Sequence, residues 1–229
     1  MFFPYFVAHL RSSAKWVCQV AVMLWVLSRR SIFAFVCLAL LSNFRPVAGI
    51  AEGAGAAHGN AIHVSGSVQA TEGGTSRPLA VQDPVFVRDV VSTGDKARAD
   101  LLFPSGLVLQ LGAQTSIALT ELVEAAGFAF DLAQGAILVD KPPASSAVPL
   151  TIDSVFGRVA VRGTSFFVGP SRGSFSVFVA RGHVEVTAGG ATVTVAEGQG
   201  VSIAEPGAVP GTVSVWSAER VAEALSQFD

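Results

Sequence analysis

Apolar residues recur at every second position through much of this chain, and glycine interrupts them at short intervals. In "ADLLF" Leu101 and Phe103 share one face. "PSG" follows as a turn, with Pro104 suited to its second position. "LVLQLG" then aligns Leu107, Leu109 and Leu111. Ile117 and Leu119 continue the pattern, as do Phe128, Phe130 and Leu132, then Phe175, Val177 and Val179. "TAGGATVTV" reads as a Gly-Gly hairpin with Val193 and Val195 on its second strand, and Val201 and Ile203 close the series. A period of two places such residues on one face of a pleated strand. Strands this short, with turn signals about every 8–12 residues, predict an all-β sandwich, barrel or rolled sheet.

No stretch before residue 215 sustains a helical period. "ELVEAAG" (Glu121–Gly127) is expected to end a hairpin, and "KPPASSAVP" (Lys141–Pro149) to be a loop dividing the domain into halves. In "SVWSAERVAEALSQFD" the stripe Trp216, Val221, Leu225 and Phe228 falls near one helical face. Ser217 is placed to cap it, with Glu219 and Arg220 in the first turn. An amphipathic helix over Ser217–Gln227 is expected, packed back on the β-domain.

The first 51 residues differ in kind. They hold Arg11, Lys15, Arg29, Arg30 and Arg45 and no acid. The remainder holds all 17 acids and ten of the 15 basic residues, a formal charge of −7. That acidic balance argues against a nucleic-acid partner, which would need a basic patch. Two apolar runs, Trp16–Leu27 and Ile32–Leu41, are each shorter than the ~20 residues of a spanning helix. The second has signal-peptide anatomy: a basic flank, a short apolar core and small residues in "PVAGIA". Val47/Gly49 or Gly49/Ala51 would serve its cleavage site. Met23 is then a natural start, with residues 1–22 an upstream extension. The rival is one uncleaved anchor, Trp16–Phe44, which would carry two arginines at its centre at roughly 2.5–3.5 kcal/mol each. "SRRSIF" (Ser28–Phe33) partly matches a twin-arginine export motif. Cys18 and Cys37 both lie in the leader, so the rest of the chain has no disulfide, thiolate nucleophile or cysteine metal site. Residues 52–61, "EGAGAAHGNA", read as a flexible linker. Any membrane contact is expected only through the leader, if it is uncleaved.

"VAVRGTSFFV" (Val159–Val168) sets a harder problem. With Val159 and Val161 inward, strict alternation turns Phe166 and Val168 out. A β-bulge at Gly163 would restore them to the core, with Thr164 bonding the kinked backbone and Arg162 facing out or pairing with Asp153. "VARGHVEV" repeats the device: Phe175, Val177 and Val179 have one parity, Val184 and Val186 the other, with Gly182 between.

These residues resemble the FecR domain family. The resemblance rests on "VSTGDKARADLLFPSGLVLQLGAQTSIAL" (Val91–Leu119), "DSVFGRVAVRGTSFFV" (Asp153–Val168), "FVARGHVEV" (Phe178–Val186) and "VAEGQGVSI" (Val195–Ile203). Gly94, Gly106, Arg162, Gly163, Thr164, Gly182 and Gly198 stand at its motif positions, in structural roles. The resemblance implies a rolled, sandwich-like or solenoid-like β-domain over residues 62–205, followed by the loop and helix of 206–229. It also implies a periplasmic domain that relays a transporter's signal toward a sigma factor. The relay members carry a long cytoplasmic segment before a spanning helix. Here at most 15 residues precede the apolar region, so a sigma-factor contact is not expected to carry over.

Chemistry is sparse. His58 lies in the linker, His63 is expected to precede the first strand, and His183 to sit solvated at a turn. None has metal-ligand spacing. Asp95, Asp100 and Asp153 show no sign of converging as an acid–base pair, and Ser165 lacks a nucleophile elbow. The expectation is a non-enzymatic module without cofactors that binds an envelope protein. A glycan-binding module is the alternative, weakened because Trp216 is the one Trp and no Tyr remains beyond the leader.

Overall fold

The computed structural model describes residues 58–123, 127–142, 148–161 and 163–229, without the side chains of Ser105 and Glu121–Val123. The leader, Arg162 and parts of two loops lie outside the described residues.

The alternating segments become strands. In chain order they are β1 (Gly59–Ser65), β2 (Val68–Glu72), β3 (Thr75–Pro78), β4 (Pro84–Val85), β5 (Val90–Thr93), β6 (Arg98–Leu102), β7 (Val108–Leu111), β8 (Ser116–Val123) and β9 (Gly127–Gln134). Then come β10 (Ile137–Asp140), β11 (Leu150–Ser154), β12 (Gly157–Val161), β13 (Ser165–Ser171), β14 (Ser174–Arg181), β15 (His183–Ala188), β16 (Ala191–Ala196), β17 (Gln199–Ile203) and β18 (Ser214–Val215). Among the described residues one α-helix, α1 (Ala218–Leu225), follows and ends in a 3-10 turn over Ser226–Phe228. The fold is all-β with a short C-terminal helix.

The strands form two nine-stranded sheets. Sheet I runs β18-β17-β14-β13-β10-β7-β6-β1-β4, and sheet II runs β16-β15-β12-β11-β9-β8-β5-β2-β3. From β10/β9 to β4/β3 the two orders match position by position, and β13, β14 and β17 stand one place along from the β12, β15 and β16 they connect to, because the chain crosses from one sheet to the other at nearly every second strand end. β1 turns into β2, β5 into β6, β7 into β8, β9 into β10, β12 into β13, β14 into β15 and β16 into β17. One core cluster fills the space between the sheets. The expected inward residues are buried there, among them Leu109, Leu111, Phe130, Val159, Phe166, Val168, Val177, Val186 and Val201. Val193 is half-buried at the margin.

Three expectations are corrected. The expected linker does not extend to residue 61, because Gly59–Ala61 already pair in β1. Gly59 fits there because a Cβ on it would stand 2.7 Å from the Phe103 ring. His63 therefore lies inside β1, opposite Asp100 of β6. The third correction concerns "VAVRGTSFFV", which is not one bulged strand. Val159 and Val161 pair with β11 and β15 in sheet II, whereas Phe166 and Val168 pair with β10 and β14 in sheet I. Gly163 marks a corner between sheets. "VARGHVEV" is the same device, with β14 in sheet I and β15 in sheet II on either side of Gly182. A bulge does exist beside the first corner, on the partner strand. Ser165 faces Arg181 and Phe166 faces Val179, which leaves Ala180 extra.

The helix docks on the outer face of sheet I. Ser217 Oγ accepts the Arg220 N–H as its cap. Trp216 and Ala224 pack against Phe167, Phe178 and Ala136, with Val221, Leu225 and Phe228 alongside. The Trp216 ring stacks on Phe178 at 5.0 Å, and the Arg220 guanidinium lies over the indole, 3.8 Å from a ring centroid. A helix of this length does not persist alone. Burying a large apolar side chain contributes on the order of 1.5–3 kcal/mol, so several together hold it. Gly200 makes the seat: a Cβ there would fall 2.3 Å from the Trp216 indole nitrogen. Gly200→Ala is therefore expected to lift Trp216 from the sheet and cost about 1–3 kcal/mol. In a Trp16→Phe/Trp25→Phe background the change reads as a red shift of tryptophan emission. An unchanged spectrum would show that the indole does not rest on Gly200.

Candidate functional site

The corners are where this fold concentrates its buried polar chemistry, and they line two opposite edges of the sandwich. On one edge, Gly94 N–H donates to Ser67 O at 2.9 Å, Gln114 N–H to Gly94 O at 3.1 Å and Gly112 N–H to Ala136 O at 3.0 Å. Two buried hydroxyls complete this row. Thr93 Oγ1 donates to Gly112 O at 2.6 Å, and Thr115 Oγ1 to Ala136 O at 3.1 Å. Backbone groups at a bend leave their sheet ladder, and an unmet buried one costs roughly 1–3 kcal/mol. The corners meet that demand by bonding to one another.

The row changes edge after β10. β11 runs parallel to β9, so the chain passes from the end of β10 to the start of β11 at the far side, and later corners form there. Lys141 N–H donates to Thr164 O at 3.1 Å. Thr164, fully buried, donates its hydroxyl to His183 O at 3.1 Å. Gly198 N–H donates to Val179 O at 2.9 Å. The Lys141 side chain is itself buried and donates to Val148 O.

Most motif residues meet on this second edge. Gly163 (φ 60°) and Gly182 (φ 87°) hold left-handed conformations that cost other residues about 1–2 kcal/mol. A Cβ on Gly182 would stand 3.2 Å from Thr164 Oγ1, so the two corners touch through that threonine. Gly198 joins the row, and Gly106, at the β6–β7 turn, faces Pro142, which follows Lys141. Gly94 stands alone on the opposite edge. Arg162 is outside the described residues, and Asp153 pairs with Arg158, its cross-strand neighbour, at 2.6 Å.

The candidate acids do not converge. Asp95 accepts from Gln114 Nε2 at 2.6 Å in a turn of the first edge. Asp100 lies on sheet I, where burial pushes its carboxyl above the usual carboxylate range against the opposing pull of His63. Asp153 lies on sheet II. His183 is the exposed first residue of β15. The described residues contain no group of three or more His, Cys, Asp or Glu placed to hold a metal ion. Sequence reasoning missed the buried Asp89, whose Oδ2 accepts from Arg77 at 2.5 Å and from Phe86 N–H at 2.9 Å. It also missed Thr93, Thr115, Lys141 and Gly200. The hydroxyls carried a signal in hindsight, since each follows or precedes a turn within a run of apolar strand residues.

Residues 89–185 match the family model described as FecR protein. Over those residues the chain is similar to a FecR domain. The match begins at Asp89, on the bend into β5, and ends within β15, so it spans the Gly94, Gly106, Gly163–Thr164 and Gly182 positions. Gly198 lies beyond it, in the same architecture. No curated protein matches the chain. Two crystal structures of a protein from Parabacteroides distasonis ATCC 8503, described as a candidate anti-sigma factor, are similar in fold. Each has a TM-score of 0.51 and 17% identity, covering 58% of this chain and 62% of that one. The chain thus spans less than two thirds of that relative.

The FecR corner is open to direct test. Gly163→Val forces a β-branched residue into the left-handed region and is expected to cost about 1–3 kcal/mol, lowering the urea midpoint. Val at a regular inward position, such as Ala188 of β15, serves as the comparison. Equal midpoints for wild type and Gly163→Val would discard the corner.

Proposed function

We propose that this chain is an exported FecR-domain protein of the periplasm that works by contact with another envelope protein, as a signal-relay or interaction module without catalysis. The observation that carries the reading is the FecR domain itself, with its motif residues committed to the corners. Thr164 holds the His183 carbonyl, and Gly163 and Gly182 hold the bends. A motif used in this way preserves a scaffold and leaves recognition to its surfaces. Asp95 and Asp153 are engaged with Gln114 and Arg158 in separate places, which supports a non-enzymatic role. The similar structures, described as a candidate anti-sigma factor, support regulation by protein contact. Export is supported by the basic leader, its short apolar core and the small residues before Glu52. Phe103, Phe128, Phe130, Phe166, Phe167, Phe175 and Phe178 are all buried, which leaves few aromatic faces for stacking sugars.

The test is made in cells. The tagged chain is fractionated, its N-terminus sequenced, and the envelope fraction treated with a short protein cross-linker. The expected result is an envelope species beginning just after Gly49 or Ala51, in a cross-linked product with another protein. Recovery from the cytoplasm would refute export. Sedimentation with purified peptidoglycan, with no protein cross-link, would replace the proposed partner with a glycan.

A further inference from the structure

Each sheet has two edges, and three of these four edges are blunted. β4 is two residues long and contains Pro84, β18 is two residues long, and β3 is four residues with Arg77 and a terminal Pro78. Short strands, prolines and charges are the usual protections of an open edge. β16 has none of them. It is six residues, Ala-Thr-Val-Thr-Val-Ala, with no charge, no proline and β-branched residues throughout its centre.

The pairing with β15 fixes which backbone groups of β16 are free. The Gly189-Gly190 turn closes Ala188 against Ala191, and the register continues Val186↔Val193 and Val184↔Val195. In an antiparallel ladder, alternate residues bond to the partner strand. Ala191, Val193 and Val195 therefore point their N–H and C=O groups at β15, and Thr192, Thr194 and Ala196 point theirs outward. Ala196 N–H is met by Gln199 Oε1 at 3.1 Å. Among the described residues, no strand pairs with β16 on its outer side. Val209 and Val215, 58% and 76% exposed, stand at the same end of the sandwich. Val209 belongs to the loop that touches Gly189, and Val215 to the edge strand of sheet I.

We propose that β16 is a self-association edge, and that its occupant is β16 of a second copy, antiparallel about a two-fold axis at Val193. The sequence is close to symmetric about that residue. Thr192 faces the partner copy's Thr194 in a hydrogen-bonded pair, and Val193 meets its own copy in the close, non-hydrogen-bonded pair. Threonine pairs and β-branched pairs are favourable across strands, while like charges directly opposite are not. A charged edge pairing with itself would set like charges together. This one sets none, because Glu197 falls against Gly189 of the second copy. That neutrality favours a second copy over a partner selected by charge. A two-fold contact of this kind closes on itself rather than propagating. The inference does not rest on the relay reading, since it follows from the edge alone.

A cysteine at the axis reads the geometry. Cα atoms of a non-hydrogen-bonded antiparallel pair lie about 4.5 Å apart, within the range a disulfide spans. The full chain, in a Cys18→Ser/Cys37→Ser background, is given Val193→Cys and oxidised in the envelope fraction. A disulfide-linked product of twice the chain mass is expected, whereas Glu185→Cys, one strand inward, gives none. Adding Thr194→Pro to Val193→Cys removes an outward N–H that bonds nothing in β15. It is expected to cut the linked fraction at least tenfold while leaving the thermal midpoint of the monomer unchanged. Failure of Val193→Cys to link, or linking that survives Thr194→Pro, would overturn the proposal. A linked product of another mass would also overturn it and would assign the edge to a different protein. The envelope cross-link of the previous section can still succeed in either case, so the two readings fail separately.

Discussion

A chain that bends between two sheets at nearly every second strand end must satisfy the backbone at each bend, and this requirement governs the rest of the structure. Gly163 and Gly182 take left-handed conformations so that the chain can turn. Thr164 then joins their corners through His183 O, and Lys141 N–H ties in the preceding one. On the other edge Thr93 and Thr115 do equivalent work. Because each corner bonds to the next, the bends form continuous rows. The rows set which strands of the two sheets lie across from each other, and that arrangement brings alternating residues from both into one core.

The change of edge after β10 gives the fold two halves. From β5 to β10 the corners build on one side, and after β11 they build on the other. The parallel contact of β9 with β11 is the seam. The FecR match at residues 89–185 crosses that seam and includes corners from both rows. The motif is therefore best understood as the signature of a scaffold. On the proposed reading, recognition falls to what the scaffold leaves outside: the outer face of sheet II, the helix-covered face of sheet I and the sheet edges.

Local signals in the sequence were enough for the alternation, the Gly-Gly hairpin and the helix with its Ser217 cap. They also placed Phe166 and Val168 in the core. They could not distinguish a bulge from a corner at Gly163, because both shift side-chain parity by one. The difference lies in the pairing partners, which are remote: β12 meets β15, and β13 meets β10. The same remoteness hid Asp89, whose partner Arg77 is twelve residues away, and Gly200, whose need to be glycine is set by Trp216. At the site level, the motif positions were visible, but their convergence was not. Gly106, Thr164, Gly182 and Gly198 are distant in sequence, and only the row of corners brings them to one edge.

The central claim is that the corners are structural rungs and not surface turns. Amide hydrogen exchange, resolved by residue, tests it most directly. The N–H groups of Gly94, Gln114, Lys141 and Gly198 all donate at corners. They are expected to exchange as slowly as those of the core strands, opening only with global unfolding. Exchange of these four at the rate of the open turn at Gly73-Gly74, while the core strands remain protected, would contradict the account.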